Sequence, residues 1–123
     1  MEDHRVDRHR STVLTKAVIR AADGLRLSHT ELASVISISV DTVRRMHSES
    51  HVLDENSKAW ELAGLLVQLY CGLDAITAGD TSSAQAWMRN QNKDLHDVPI
   101  KLIRHVAGLV RTVTYVGAKR SRI

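Results

Sequence analysis

The sequence predicts an all-α protein, and three observations predict it. Apolar residues recur at three- and four-residue spacing along most of the chain, helix-start signals stand ahead of those runs, and strand signals are few. At 123 residues the chain is of one-domain size, so one compact unit or two very small ones is expected. Apolar residues make up 43% and charged residues 25%, an ordinary globular balance. The aromatic share is only 3%, with no Phe and just Trp60, Trp87, Tyr70 and Tyr115, so the core must be aliphatic.

Taken in order, Met1 to Arg10 is a mixed-charge stretch expected to be a flexible N-terminus. From a cap at Ser11, Leu14, Ala17, Val18 and Ala21 keep helical spacing until Gly24, a natural stop. Ser28 followed by Glu31 is a capping box, in which each side chain satisfies an orphan backbone donor, and Leu32, Ala33 and Ile36 form the inner face of that second helix. Ser39 caps a third helix, with Asp41 in its first turn, where the helix dipole favours negative charge, and Val43 and Met46 inward. His47 to Asn56 is a polar connection and the best internal boundary. From Ser57, residues Ala59, Leu62, Ala63, Leu66, Leu69 and Tyr70 form a wide apolar stripe that should end at Gly72, with a short turn of helix at Leu73 to Ile76. Gly79-Asp80 breaks the chain, and Asp80 or Thr81 caps a helix carrying Ala84, Trp87 and Met88. Asn90 to His96 reads as loop. Pro99 suits a first helical turn, and Ile103, Val106, Val110 and Val113 then repeat in one helix ending near Gly117, ahead of a basic tail.

Charge is distributed unevenly. Lys and Arg exceed Asp and Glu by 8 to 7 in residues 1–50, trail them 2 to 5 in residues 51–90, and exceed them 7 to 2 in residues 91–123. The overall +3 therefore sits in the last third, which suits an anionic partner. The single Cys71 cannot form an intrachain disulfide and reads as a small buried hydrophobe in a reducing compartment. No signal-peptide pattern and no apolar run of membrane-spanning length is read, so the expected location is cytoplasmic, with no membrane partner. His47 and His51 lack a third ligand, so no metal is expected. Asp94, His96 and Asp97 cluster without a nucleophile or oxyanion site, and no Gly-rich phosphate loop, HExxH or GxSxG pattern occurs, so neither an enzyme nor a cofactor is expected.

Leu27 to Met46 has helix-turn-helix spacing, and its pattern Leu27-Ser28-x-x-Glu31-Leu32-Ala33-x-x-Ile36-Ser37-Ile38-Ser39-x-x-Thr42-Val43-x-Arg45-Met46 resembles the Xre/Cro-type repressors. The resemblance implies a second helix in the major groove, with Val40, Asp41 and Arg44 toward bases and Ser28, Thr42 and Arg45 on the DNA backbone. The competing reading is a packed three-helix unit without DNA. Such repressors usually carry Gly where Ser37 stands, in a turn that often needs a left-handed backbone. Because residues 1–50 are nearly neutral, DNA binding should need a dimer or larger assembly.

The order Trp60, Leu62 to Tyr70, Leu73-Asp74, Gly79-Asp80, Ala84-x-x-Trp87-Met88, Asn92-x-x-Leu95, Pro99-x-x-Leu102-Ile103, Gly108-Leu109 and Tyr115 is similar to the toxin-binding domain of Xre/MbcA/ParS antitoxins. The implied architecture is an N-terminal helix-turn-helix bundle over 11–50, a C-terminal helical toxin-binding domain over 53–118 and a basic tail at 119–123. The implied function is neutralisation of a RES-domain, NAD-consuming toxin by occluding its cleft, with repression of the operon through operator DNA, as a homodimer or larger hetero-oligomer with toxin. Implied toxin-binding residues are Asn92, Leu95, Arg111, Tyr115, Lys119, Arg120 and Arg122, with Trp87 and Pro99 as structural anchors. The family usually has a Gly-Gly pair where this chain has His96-Asp97, so the loop before Pro99 is expected to follow another path. The alternative function is a stand-alone Xre-type DNA-binding repressor whose C-terminal half dimerises.

Overall fold

Seven helices make up the computed structural model, which describes residues 2–122: α1 (Glu2–Gly24), α2 (His29–Ile36), α3 (Val40–His47), α4 (Lys58–Ile76), α5 (Thr81–Arg89), α6 (Pro99–Leu102) and α7 (Val106–Arg120). Among the described residues the only β pairing is an isolated bridge between Asn92 and Asp97. The first helix begins at Glu2, so Ser11 is an interior residue and not its cap. No Gly or Pro interrupts the chain before Gly24. Thr15 Oγ1 donates to the Ser11 carbonyl at 2.7 Å and accepts from the Leu53 amide at 3.0 Å, and Arg10 pairs with Glu55 at 2.9 Å.

The expected caps form. Ser28 and Glu31 complete the capping box of α2, Ser39 accepts from the Thr42 amide at α3, Ser57 from Trp60 at α4, and Asp80 from Ser83 at α5. The helix ends follow a different rule from the one the glycines suggested. Helices α1 to α4 each close with a left-handed residue, at Arg26, Ser37, Glu49 and Ala78, none of them Gly. In each, the next amide reaches back five residues: Leu27 to Ala22 (2.8 Å), Ile38 to Ala33 (3.0 Å), Ser50 to Arg45 (2.8 Å) and Gly79 to Asp74 (2.9 Å). Gly24 is instead required by packing, because a Cβ there would overlap the Tyr70 ring.

Gly72 does not stop α4, which runs on to Ile76. Its missing side chain lets α7 approach, since a Cβ would lie 2.6 Å from Val116 Cγ1. Gly117 likewise lies inside α7, so Lys119 and Arg120 are helical and not part of a tail. The single helix expected after Pro99 is broken at Ile103 to His105, because α6 folds back and places the Leu102 carbonyl where a Cβ of Gly108 would be. The break resets the helical phase. Val106 and Val110 are 55% and 45% exposed, and Leu109, Thr112 and Val116 are buried in their place. Cys71 is exposed on α4, not buried. One aliphatic cluster runs from Val18, Leu32, Ile36 and Val43 through Leu62, Leu66, Leu69 and Leu73 to Met88, Ile103 and Leu109, so both halves of the sequence share one core. Contrary to the expectation from sequence, α4 is long and apolar enough to cross a membrane, but it is the central core helix, packed on α1, α2 and α7.

Candidate DNA-binding and partner-binding surfaces

The helix-turn-helix is built from α2, a turn at Ser37 to Ser39, and α3. Ala33 is buried where the helices meet, and Ser37 takes φ 58° and ψ 48°, the left-handed conformation at the position where similar repressors carry Gly. On α3, Asp41, Arg44 and Arg45 are exposed, while Val40 and Thr42 are partly buried. Arg45 Nε lies 3.2 Å from Asp41 Oδ2 and its Nη2 donates to Thr42 Oγ1 at 3.4 Å; Thr42 is also held by Ser39, 2.8 Å between hydroxyls. Asp41 thus cancels much of the charge of Arg45, and among the described residues Arg44 is the α3 arginine in no ion pair. Ser28, exposed at the α2 start, accepts from the Glu31 amide at 3.0 Å.

A connection absent from the sequence reading joins this unit to the other half. Arg89, at the end of α5, donates from Nη1 to Glu31 Oε2 at 2.6 Å and from Nη2 to Glu31 Oε1 at 2.9 Å and the Arg26 carbonyl at 2.8 Å. Arg104 Nη2 is 3.7 Å from the same carboxylate, and Gln85 donates to the Gly24 carbonyl at 3.1 Å. The Arg89 hydrogen bonds, outweighing partial burial and helped by the Ser28 amide, hold the Glu31 carboxyl down at about 2. The pairing raises Arg89 above its ordinary value.

The toxin-binding candidates assemble around the loop from Asn90 to Val98. Asn92 Oδ1 accepts from the Leu95 amide at 2.9 Å, and the Asn92 and Asp97 backbones pair at 3.0 Å. His96, one of the two residues that stand where similar proteins carry Gly-Gly, takes φ 62°, in the left-handed region that favours glycine. Leu95 is 2% exposed and anchors the loop in the interior instead of offering a contact. Arg111 donates to the Leu95 carbonyl at 2.8 Å, and the Tyr115 hydroxyl donates to Asp94 Oδ2 at 2.7 Å. Trp87 is half-buried, its ring stacked 6.4 Å from that of Tyr115, and Lys119 Nζ stands 5.3 Å from the Tyr115 centroid on α7. Pro99 is buried at the α6 start. Arg120 and Arg122 are exposed beyond this cluster. The structure therefore brings Trp87, Asn92, Leu95, Arg111, Tyr115 and Lys119 together, but ties Arg111 and Tyr115 to the loop.

Two of the histidines meet at the helix-turn-helix. His47 Nδ1 lies 3.1 Å from the Val43 carbonyl, its Nε2 is 3.6 Å from Asp23, and its ring centroid is 4.4 Å from that of His29. Among the described residues no three His, Cys, Asp or Glu side chains gather where they could hold a metal ion. A cleft of about 660 Å³ opens between α1 and the end of α3 with the segment after it, lined by Lys16, Arg20, His47 and Val52.

Family comparison matches both halves. A model of the antitoxin Xre-like helix-turn-helix domain matches residues 4–68, and a model of the antitoxin Xre/MbcA/ParS C-terminal toxin-binding domain matches residues 73–122. No curated protein matches the chain.

Proposed function

We propose that this chain, which belongs to the antitoxins built from an Xre-like helix-turn-helix domain and an Xre/MbcA/ParS C-terminal toxin-binding domain, neutralises a RES-domain toxin that consumes NAD and represses its own operon. The observation that carries the reading is the braced loop and helix of the second half. Arg111 and Tyr115 fix the loop carrying Asn92 and Asp94, and the same helix leads to Lys119, Arg120 and Arg122, which project positive charge beyond it. A cleft shaped for a dinucleotide contains polar and charged groups to which exposed guanidinium groups can make charge-assisted contacts, so an inserted basic helix end blocks it. Neutralisation by occlusion needs no chemistry from the antitoxin, only a rigid surface at the mouth of the cleft. The setting is a reducing cytoplasm.

The test is coexpression with a RES-domain toxin, reading growth and cellular NAD. The parent chain should preserve NAD. Arg120→Glu with Arg122→Glu should lose at least tenfold in toxin affinity while leaving the fold intact, since both side chains are exposed. NAD protection by the doubly reversed variant equal to the parent's removes the basic helix end from the mechanism. For the DNA role, the parent chain should shift a fragment of its own promoter in a salt-sensitive manner, and Arg44→Ala with Arg45→Ala should abolish the shift. No shift by the parent leaves the helix-turn-helix as a structural unit.

A further inference from the structure

Glu31 meets more positive charge than one carboxylate can neutralise. Arg89 takes both of its oxygens, at 2.6 and 2.9 Å, and completes an ion pair by itself. Arg104 Nη2 stands 3.7 Å from the same carboxylate, beyond hydrogen-bond range, and its side chain is 46% exposed. Arg26, in the turn ahead of α2, is exposed and in no ion pair among the described residues. Asp23 turns instead to His47, 3.6 Å away. Left to the first half of the chain, the start of α2 would hold Arg26 against Glu31 and be neutral. Arg89, at the end of α5, and Arg104, in the break between α6 and α7, make it three arginines against one carboxylate.

Where this surplus sits decides what it can do. When a helix-turn-helix docks, its second helix lies in the major groove and its first crosses the phosphate backbone. That first helix is α2. A bare carboxylate in its first turn would repel the phosphates; Arg89 cancels it, and the exposed Arg104 guanidinium is left over with donors to spare. Residues 1–50 are nearly neutral, so phosphate-neutralising charge has to come from elsewhere in the chain. We propose that Arg104 contacts a DNA phosphate beside the start of α2 while Arg89 masks Glu31, so that the second half of the chain completes the DNA surface of the first. The inference rests on the operator reading above and adds to it residues outside the helix-turn-helix. Phosphate fits this corner better than an acidic protein group does, because the docking geometry carries the backbone past it.

The experiment measures affinity of the full chain for its promoter duplex and for a scrambled duplex of equal length, by fluorescence anisotropy across a salt series. Arg104→Gln should weaken binding to both duplexes alike, about fivefold at roughly 0.1 M salt, and lower the salt slope by about one. Glu31→Gln should do the opposite. Gln keeps the capping hydrogen bond with the Ser28 amide and frees the Arg89 guanidinium for phosphate, so both duplexes should bind tighter and the slope should rise by about one. Opposite signs separate the proposal from a folding defect, because each substitution removes a member of the same ion-pair cluster and loss of folded protein would weaken binding in both. Equal affinity and slope for the parent and Arg104→Gln overturn the inference and leave the operator reading standing, whereas no binding by the parent overturns both. A loss confined to the promoter duplex makes Arg104 a base-reading side chain, and a loss confined to toxin binding makes it a contact to a partner protein; either overturns the phosphate assignment.

Discussion

Glu31 serves two structures with one carboxylate. Its side chain accepts from the Ser28 amide at 2.9 Å, closing the start of α2, and takes both guanidinium nitrogens of Arg89 from the other half of the chain. Its carboxyl lies at about 2 in the fold against 4.5 for the ordinary group, so the stability it contributes is complete above about pH 5 and is lost as the pH falls toward 2. Allowing for solvent screening around the half-exposed Arg89, that contribution is of order 1–2 kcal/mol. Arg89→Ala should lower stability by about that amount at pH 7, and the difference from the parent should shrink in urea titrations carried down to pH 2 to 3. The capping role of Glu31 was legible in the sequence because Ser28 is three residues away. Its partner was not, because Arg89 is 58 residues distant and no local pattern marks it. Leu95, Arg111 and Tyr115 divide similarly: the family pattern marks them as site residues, but that one is a buried anchor and the others hold a loop depends on contacts between segments 16 to 21 residues apart.

At the scale of the element, the capped starts of α2 to α5 were readable, whereas the start of α1 ahead of Ser11, the uncapped start of α7 and the ends of α4 and α7 were not. A start is set by one hydroxyl or carboxylate beside free amides, a local matter, whereas Gly72, Gly108 and Gly117 mark crossings or nothing local at all. The actual stops sit on Arg26, Ser37, Glu49 and Ala78, side chains that pay a steric cost in the left-handed region. Replacing Ser37 or Ala78 by Gly should therefore stabilise the protein by about 0.5–1 kcal/mol each in denaturant melts, unlike most glycine substitutions. Gly108→Ala should do the reverse. Its Cβ would strike the Leu102 backbone, which cannot swing aside as a side chain can, so a loss of about 2–4 kcal/mol is expected, with the loop around Asn92 opening to hydrogen exchange as α6 and α7 separate.

Over the whole molecule, the sequence reads as two units because motifs and charge change near residue 50, and the fold joins them because α4 lends buried leucines to both sides. Continuity of packing has no sequence signature; the all-α class did. Leu66→Ala, at the centre of that helix, should cost about 2–5 kcal/mol and still give a single transition when the melt is followed separately by Trp60 and Trp87 fluorescence in single-Trp variants. Two separated transitions would mean that the halves fold independently. With one core there is one opening event for the whole chain, and a protease that engages the opened chain removes the helix-turn-helix and the second helical unit in the same stroke. Whatever each half binds, the lifetimes of the two surfaces then run on a single clock.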